Sequence, residues 1–209
     1  MKKIAALFLL IFNINSNEYV TGSIVDYSGL IKMPNARFKV EGTTSFVYSR
    51  FEPYGKYVFQ FSPFDWFEGS LFYTDINSLG YPDFERSSGG GQSQKDKGFT
   101  LKTRLIKEGE CYGFGFSFCD YLPNIAVGLV DFAGTSLSSS EYVVASKSVG
   151  RFDFTAGMGW GALGSSDNLG GNPFSAISEE FNNRGSGYSS GLMGGVPGVS
   201  SWFKGPTSI

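Results

Sequence analysis

The sequence has 209 residues, a formal net charge of −2, no histidine, 17% aromatic residues and 29 glycines. A chain of this length suits one large domain or one β-barrel, and its balanced charge offers no clustered basic face for nucleic acid. The absence of histidine removes Ser-His-Asp and Cys-His chemistry and the commonest metal ligand. Neither a metal nor another cofactor is expected, and carboxylate-only hydrolysis is the enzymatic option left open. Abundant aromatics and glycines fit a β-protein with Gly-rich turns, and aromatics also populate membrane-interface girdles.

The first sixteen residues read as a secretory signal peptide. Lys2 and Lys3 form a basic head, Ile4 to Phe12 an apolar run, and Ser16 offers a small residue for cleavage, with Ile14 two positions before it. The alternative is a buried N-terminal helix. No other segment approaches the ~20 apolar residues of a membrane helix, so integral membrane contact would require a barrel.

Thr21 to Asn35 mixes turn residues with apolar ones, and Pro34 interrupts any ladder. Ala36 to Val40 is brief, and Glu41-Gly42-Thr43 reads as a turn. Strand-like runs follow at close intervals. Ser45 to Phe51 is the first and Tyr57 to Ser62 the second, with Glu52-Pro53-Tyr54-Gly55 as the turn between them. Phe67 to Asp75 is a third. Ser87 to Lys97 (SSGGGQSQKDK) reads as an exposed, flexible loop. Gly98 to Ile106 is a fourth strand, with Phe99, Leu101 and Leu105 on one face and Thr100, Lys102 and Arg104 on the other.

Cys111 and Cys119 flank YGFGFSF. Export would place them in an oxidising compartment, where a bridge closing a small hairpin is expected; unpaired thiols are the alternative.

Three further runs occupy Leu122 to Gly161. Ile125, Val127 and Leu129 share one parity. Tyr142, Val144 and Ser146 interleave with Glu141, Val143, Ala145 and Lys147. Phe152, Phe154, Ala156, Met158 and Trp160 face one way, opposite Asp153, Thr155, Gly157, Gly159 and Gly161. Val149-Gly150-Arg151 is short enough for a hairpin. Seven strands with short connections predict an antiparallel up-and-down meander rather than βαβ units. From Ser165 onward Gly, Ser, Asn and Pro dominate, which reads as a flexible tail or a long loop before a strand beginning near Ser201-Trp202-Phe203. Only Ser178 to Asn182 hints at a helical turn.

Two Gly-rich motifs carry little weight. Gly159 to Gly164 matches GxGxxG after a strand, but SSDNLGGNP follows where a dinucleotide fold needs a helix. Ser88 to Gly91 lacks the Lys-Ser/Thr of a phosphate loop.

The strings KDKGFTLKTRLIKEGE (Lys95 to Glu110) and YLPNIAVGLVDFAGTSLSSSEYVVASKSVGRFDFTAGMGWGALG (Tyr121 to Gly164) resemble the YjbH family of Gram-negative outer-membrane proteins. GLIKMPNARFKVEGTTSFVYSRFEPY (Gly29 to Tyr54), YTDIN (Tyr73 to Asn77) and, weakly, WFKGP (Trp202 to Pro206) are similar to the same family. The resemblance implies an all-β outer-membrane barrel, partial or small, encoded with exopolysaccharide or capsule production and secretion genes. It implies no catalytic residues. The family's proteins are several times longer, an odd strand number is unusual for a bacterial barrel, and CYGFGFSFC looks like an insertion. A fragment, a short paralogue or a split gene is therefore expected.

The expected organisation is a signal peptide over 1–16, a barrel-type domain over 17–164 and a Gly/Ser-rich segment over 165–209, located in the outer membrane. The expected partners are outer-membrane lipid, polysaccharide and other exopolysaccharide-secretion proteins, and no nucleic acid. If the greasy faces meet lipid, Thr100, Lys102 and Arg104 point to the lumen, with Glu68, Ser70 and Thr74 alongside, where cations would guide an acidic polymer. A solvated face of an ordinary sheet explains the same pattern. A transport or scaffold role, not an enzyme, is the leading expectation. The main alternative is a soluble exported β-sandwich binding carbohydrate through Tyr54, Trp66 and Tyr73. A glycoside hydrolase would need two acids roughly 5–10 Å apart, which no sequence pattern here supplies.

Overall fold

In a computed structural model of the chain, residues 28–30, 32–80, 92–110, 121–184 and 198–209 are described. The signal segment and the cysteine pair, Cys111 and Cys119, lie outside them. A two-residue hairpin comes first, β1 (Gly29–Leu30) with β2 (Met33–Pro34). Pro34 thus takes part in a two-residue bridge outside the main sheet, where its missing N–H costs little.

The main sheet contains β3 (Thr43–Phe51), β4 (Tyr54–Phe64), β5 (Phe67–Gly80), β6 (Ser93–Ile106), β7 (Asn124–Gly134), β8 (Ser140–Val149), β9 (Phe152–Gly161) and β10 (Thr207–Ser208). It is one antiparallel meander in chain order from β3 to β9, with β10 added beside β9. β3 and β10 are its edges, so the sheet is not closed into a barrel.

Most strands are longer than the alternation alone suggests. Phe51 pairs with Tyr54, which shrinks the expected four-residue turn to Glu52-Pro53. The expected loop Ser87–Lys97 is corrected in its second half. Ser93 to Lys97 belong to β6, where Gln94 and Asp96 point to the buried face and Lys95 pairs with Asp75 at 2.5 Å. Polar composition hid a strand whose backbone is paired on the β5 side. The strand beginning expected at Ser201-Trp202-Phe203 is instead a 3-10 turn at Val199–Ser201, and the strand starts at Thr207. Glu179–Asn182 is a 3-10 turn capped by Ser178, whose hydroxyl accepts from the Glu180 N–H.

The sheet has two chemically distinct faces. One carries Phe46, Tyr48, Tyr57, Phe59, Leu71, Tyr73, Phe99, Leu105, Val149, Phe152 and Phe154, all exposed, with Phe152 at 70% and Phe154 at 60%. The other carries Gln60, Ser62, Glu68, Ser70, Thr74, Thr100, Lys102 and Ser146, all buried. This inverts a soluble sheet, where the apolar face is covered and the polar face wet.

Strand stagger is steep. One row of paired residues runs Thr44, Phe61, Gly69, Leu101, Leu129, Glu141 and Trp160. Thr44 is the second residue of β3, yet Trp160 is the next to last of β9. Across six strand spacings the sheet edge thus moves by seven residues. At ~3.4 Å per residue and ~4.8 Å per strand this is a slope of about 40°.

The two rims differ too. Asp65-Trp66, residues 107–123 and Gly150-Arg151 connect strands at one, here the turn rim. Glu52-Pro53, residues 81–92, 135–139 and 162–206 connect them at the other, the loop rim. The chain enters β3 from the turn rim.

Candidate functional site

The segment Ser28 to Lys39 crosses the polar face as a strap near the turn rim. Ala36 and Phe38 press inward against Ala126, Val130, Tyr142 and Val144, forming the main buried apolar cluster. The rest of the seat is polar. The Ala36 N–H donates to Ser146 Oγ at 2.9 Å, and the Lys39 N–H to Glu68 Oε1 at 2.5 Å. Ser28 Oγ donates to Glu68 Oε2 at 2.9 Å.

Beneath the strap lies a buried ion pair. Glu68 and Lys102 occupy paired positions on β5 and β6, and Lys102 Nζ lies 2.9 Å from Glu68 Oε2. Lys102 also donates to the Arg37 carbonyl and sits 4.3 Å from the centre of the Phe38 ring. The sheet contributes the charges and the strap seals them: Lys102 is only 1% exposed and Glu68 7%. Lys39 Nζ donates to Ser45 Oγ at 2.8 Å and to Gln60 Oε1. Burial pushes the Lys39 ammonium below its ordinary range, and the nearby Glu68 charge pulls it partly back.

A clamp fixes the strap at the turn rim. The Arg37 guanidinium reaches Asp153 Oδ2 at 3.0 Å and Oδ1 at 2.5 Å, Glu108 Oε2 at 2.6 Å and Ser148 Oγ at 2.7 Å. Glu108 Oε1 accepts from the Ser148 N–H at 3.0 Å and pairs with Lys147 at 3.1 Å. Burial works against the Glu108 carboxylate, but Arg37, Ser148 and Lys147 outweigh it and hold its pKa below the usual carboxylate value. Asp153, chiefly, holds the Arg37 guanidinium in its charged form.

All four residues singled out as lumen candidates lie on this polar face. Glu68, Thr100 and Lys102 come together, with Ser70 opposite Thr100 in the register. Arg104 lies further along, its guanidinium carbon 4.5 Å from the Phe38 ring centre and Nη1 3.4 Å from Asp65. The strap covers them and leaves a cavity of about 10 Å³ among Ser28, Lys39, Gln60, Glu68, Thr100 and Lys102, room for one water molecule. The strap itself, with Arg37 and Glu108, escaped sequence reasoning. The available signal was the alternation Ala36, Phe38 against Arg37, Lys39, too short to weigh by itself.

A second assembly covers one corner of the apolar face at the loop rim. Arg184 grips Glu141 with two hydrogen bonds, 2.7 Å and 2.8 Å, and the Phe203 N–H adds a third at 3.0 Å. Trp160 is fully buried, stacked on Phe174 at 5.3 Å and edge-on to Phe203 at 5.2 Å. Its neighbours Phe152 and Phe154 on the same face stay exposed. Asn172 ties the corner together by donating to the Phe181, Phe203 and Gly205 carbonyls. Gly161 makes the approach possible. Its φ is +67°, and a Cβ there would meet Ser139 O at 2.4 Å and Arg184 Nη2 at 2.9 Å.

Among the described residues, no group of three or more acidic, cysteine or histidine side chains is arranged to hold a metal ion. No helix there is long and apolar enough to cross a membrane, which says nothing of strands.

A family model described as "Exopolysaccharide biosynthesis protein YbjH" matches residues 23–209. The chain is 40% identical over 181 residues to a protein of Escherichia coli (strain K12) named "Uncharacterized lipoprotein YjbH". That alignment takes in 87% of this chain and 24% of the relative, so the chain spans about a quarter of the relative's length. No solved structure matches.

Proposed function

The chain belongs to the YjbH family, and from that premise we propose that it forms part of an outer-membrane β-barrel that supports exopolysaccharide or capsule export or assembly. In this reading it is a transport or scaffold component rather than an enzyme. The observation that carries the proposal is the sheet's sidedness: exposed apolar side chains share one face on six of the seven long strands, β3–β6, β8 and β9, and the other face buries hydroxyl, amide and charged groups beside a small apolar cluster. Transmembrane barrels need that arrangement, apolar toward lipid and polar toward the interior.

Two further features support it. The slope of about 40° lies within the ~35–45° tilt of membrane barrel strands. The relative's name calls it a lipoprotein, which fits export and a membrane association. The sheet by itself is open, so closure on this reading requires further strands beyond β3 and β10.

The test is cell fractionation. The protein should be recovered with outer membranes, and once its barrel is complete it should migrate differently on gels with and without heating. Clean recovery as a soluble periplasmic monomer defeats the proposal.

A further inference from the structure

The cavity under the strap is short of an acceptor. Both carboxylate oxygens of Glu68 are already engaged, Oε1 by the Lys39 N–H and Oε2 by the Ser28 hydroxyl and Lys102. Gln60 Oε1 accepts from the Lys39 ammonium and from the Ser45 hydroxyl. Donors are left over. Ser62 lines the same cavity, is 2% exposed, and its hydroxyl has no hydrogen-bond partner among the described residues. An ammonium carries three protons, and Lys39 Nζ places two of them, on Ser45 and Gln60.

The charges are unequal as well. Lys39, Lys102 and Glu68 line the cavity, so two ammoniums face one carboxylate. Lys102 is attracted by Glu68 and repelled by Arg104 and Lys39. The neighbouring carboxylates are committed elsewhere: Glu108 and Asp153 hold Arg37, and Asp65 lies beside Arg104. One positive charge is therefore left over among buried side chains, and a buried charge without a partner is costly.

Water meets only part of this need. It would accept from Ser62 and Lys39, but it is neutral and brings protons that need acceptors of their own. A small anion accepts without donating and cancels the surplus charge. The volume, about 10 Å³, is that of one small particle, too little for a phosphate, a sulfate or a sugar acid. The strap supplies one wall, through Ser28 and Lys39, and can yield to an ion somewhat larger than water.

We infer that this cavity binds a small monovalent anion of the halide class, held by the Ser62 hydroxyl and the Lys39 ammonium. Ser62 belongs to β4 and Lys39 to the strap, so the ion fastens one to the other. The site is set in the polar face and does not depend on what meets the apolar one.

Two measurements on the purified full chain test this. Crystals grown in bromide should show an anomalous peak between Ser62 Oγ and Lys39 Nζ. Proteolysis within residues 35–40 should slow as chloride replaces gluconate at constant ionic strength. At about ten times its dissociation constant, chloride should slow cleavage about ten-fold, because an ion that binds only the strapped state stabilises it in that ratio. Ser62→Ala should weaken this effect and Lys39→Met abolish it. Both variants also change basal cleavage, so the readout is the ratio of rates in gluconate and in chloride, which Lys39→Met should bring to about one. An empty cavity, or density there without anomalous signal and hence a water only, overturns the proposal. So does equal cleavage of the unsubstituted chain in the two salts, or a chloride effect that survives both substitutions.

Discussion

Glu68 and Lys102 face each other across neighbouring strands, and their charged ends meet at 2.9 Å beneath the strap. Two charges sealed from water tolerate each other far better than either tolerates solitude. Glu68→Leu or Lys102→Met alone should therefore cost about 3–5 kcal/mol. The double substitution should cost clearly less than the sum. Denaturant unfolding of all four proteins checks this, and additive losses would show that the pair is not coupled.

Acid should loosen the strap at its clamp. The Glu108 carboxylate is held below its ordinary value of 4.5. A depressed carboxylate contributes stability that is complete above that ordinary value and disappears as pH falls through the lowered one. Proteolysis within residues 35–40 should therefore accelerate on acidification below about pH 4.5. Glu108→Gln should show the faster cleavage already at neutral pH and respond less to acid. Lys39 acts at the other end of the scale. Its pKa is lowered by burial, so charging it opposes folding, and the strap should tighten as pH rises toward 10.5.

The corner at the loop rim should behave as a unit. Trp160→Ala removes a fully buried ring from between Phe174 and Phe203, a loss of about 3–5 kcal/mol. Arg184→Ala leaves Glu141 buried without its cation, at a similar cost. Gly161→Ala forces a side chain into the left-handed region and against Ser139 O. Each should expose residues 165–184 to protease while the β3–β6 half of the sheet keeps its hydrogen-exchange protection.

Val127→Arg separates a lipid-facing sheet from a soluble one. Val127 lies on the apolar face as the fourth of the eleven residues of β7, between Thr103 and Val143. In a bilayer an arginine on that face costs up to ~2–4 kcal/mol, falling toward the interface. On a water-facing sheet it would cost little, and unfolding from vesicles measures the difference.

Alternation made the strands legible. The run from Glu141 to Lys147 falls within β8, Ser140–Val149, because Tyr142, Val144 and Ser146 keep strict parity against Val143, Ala145 and Lys147. The sidedness of Glu68, Thr100, Lys102 and Arg104 followed from the same rule. Parity does not report what lies on each face, however. Ala36 and Phe38 join a core built by β7 and β8 about ninety residues later, a contact no local pattern announces. Polar residues misled at Ser93 to Lys97, because the backbone pairing that orders them is indifferent to side-chain hydrophobicity. Trp160 shares a face with Phe152 and Phe154 but not their exposure, because Phe174 and Phe203 return from the tail to cover it.

β10 touches β9 only at Gly159 and Trp160. From Phe152 to Met158 the outer margin of β9 has no strand beside it among the described residues, although every residue there is extended and its other side is paired with β8. Such a margin is an adhesive seam. In a hydrocarbon setting each vacant amide would cost several kcal/mol, and in water it invites zipper-like growth with another molecule's margin. Purified without a companion strand, the protein should therefore self-associate lengthwise into ladders, and a short peptide matched to that seam should dissolve them.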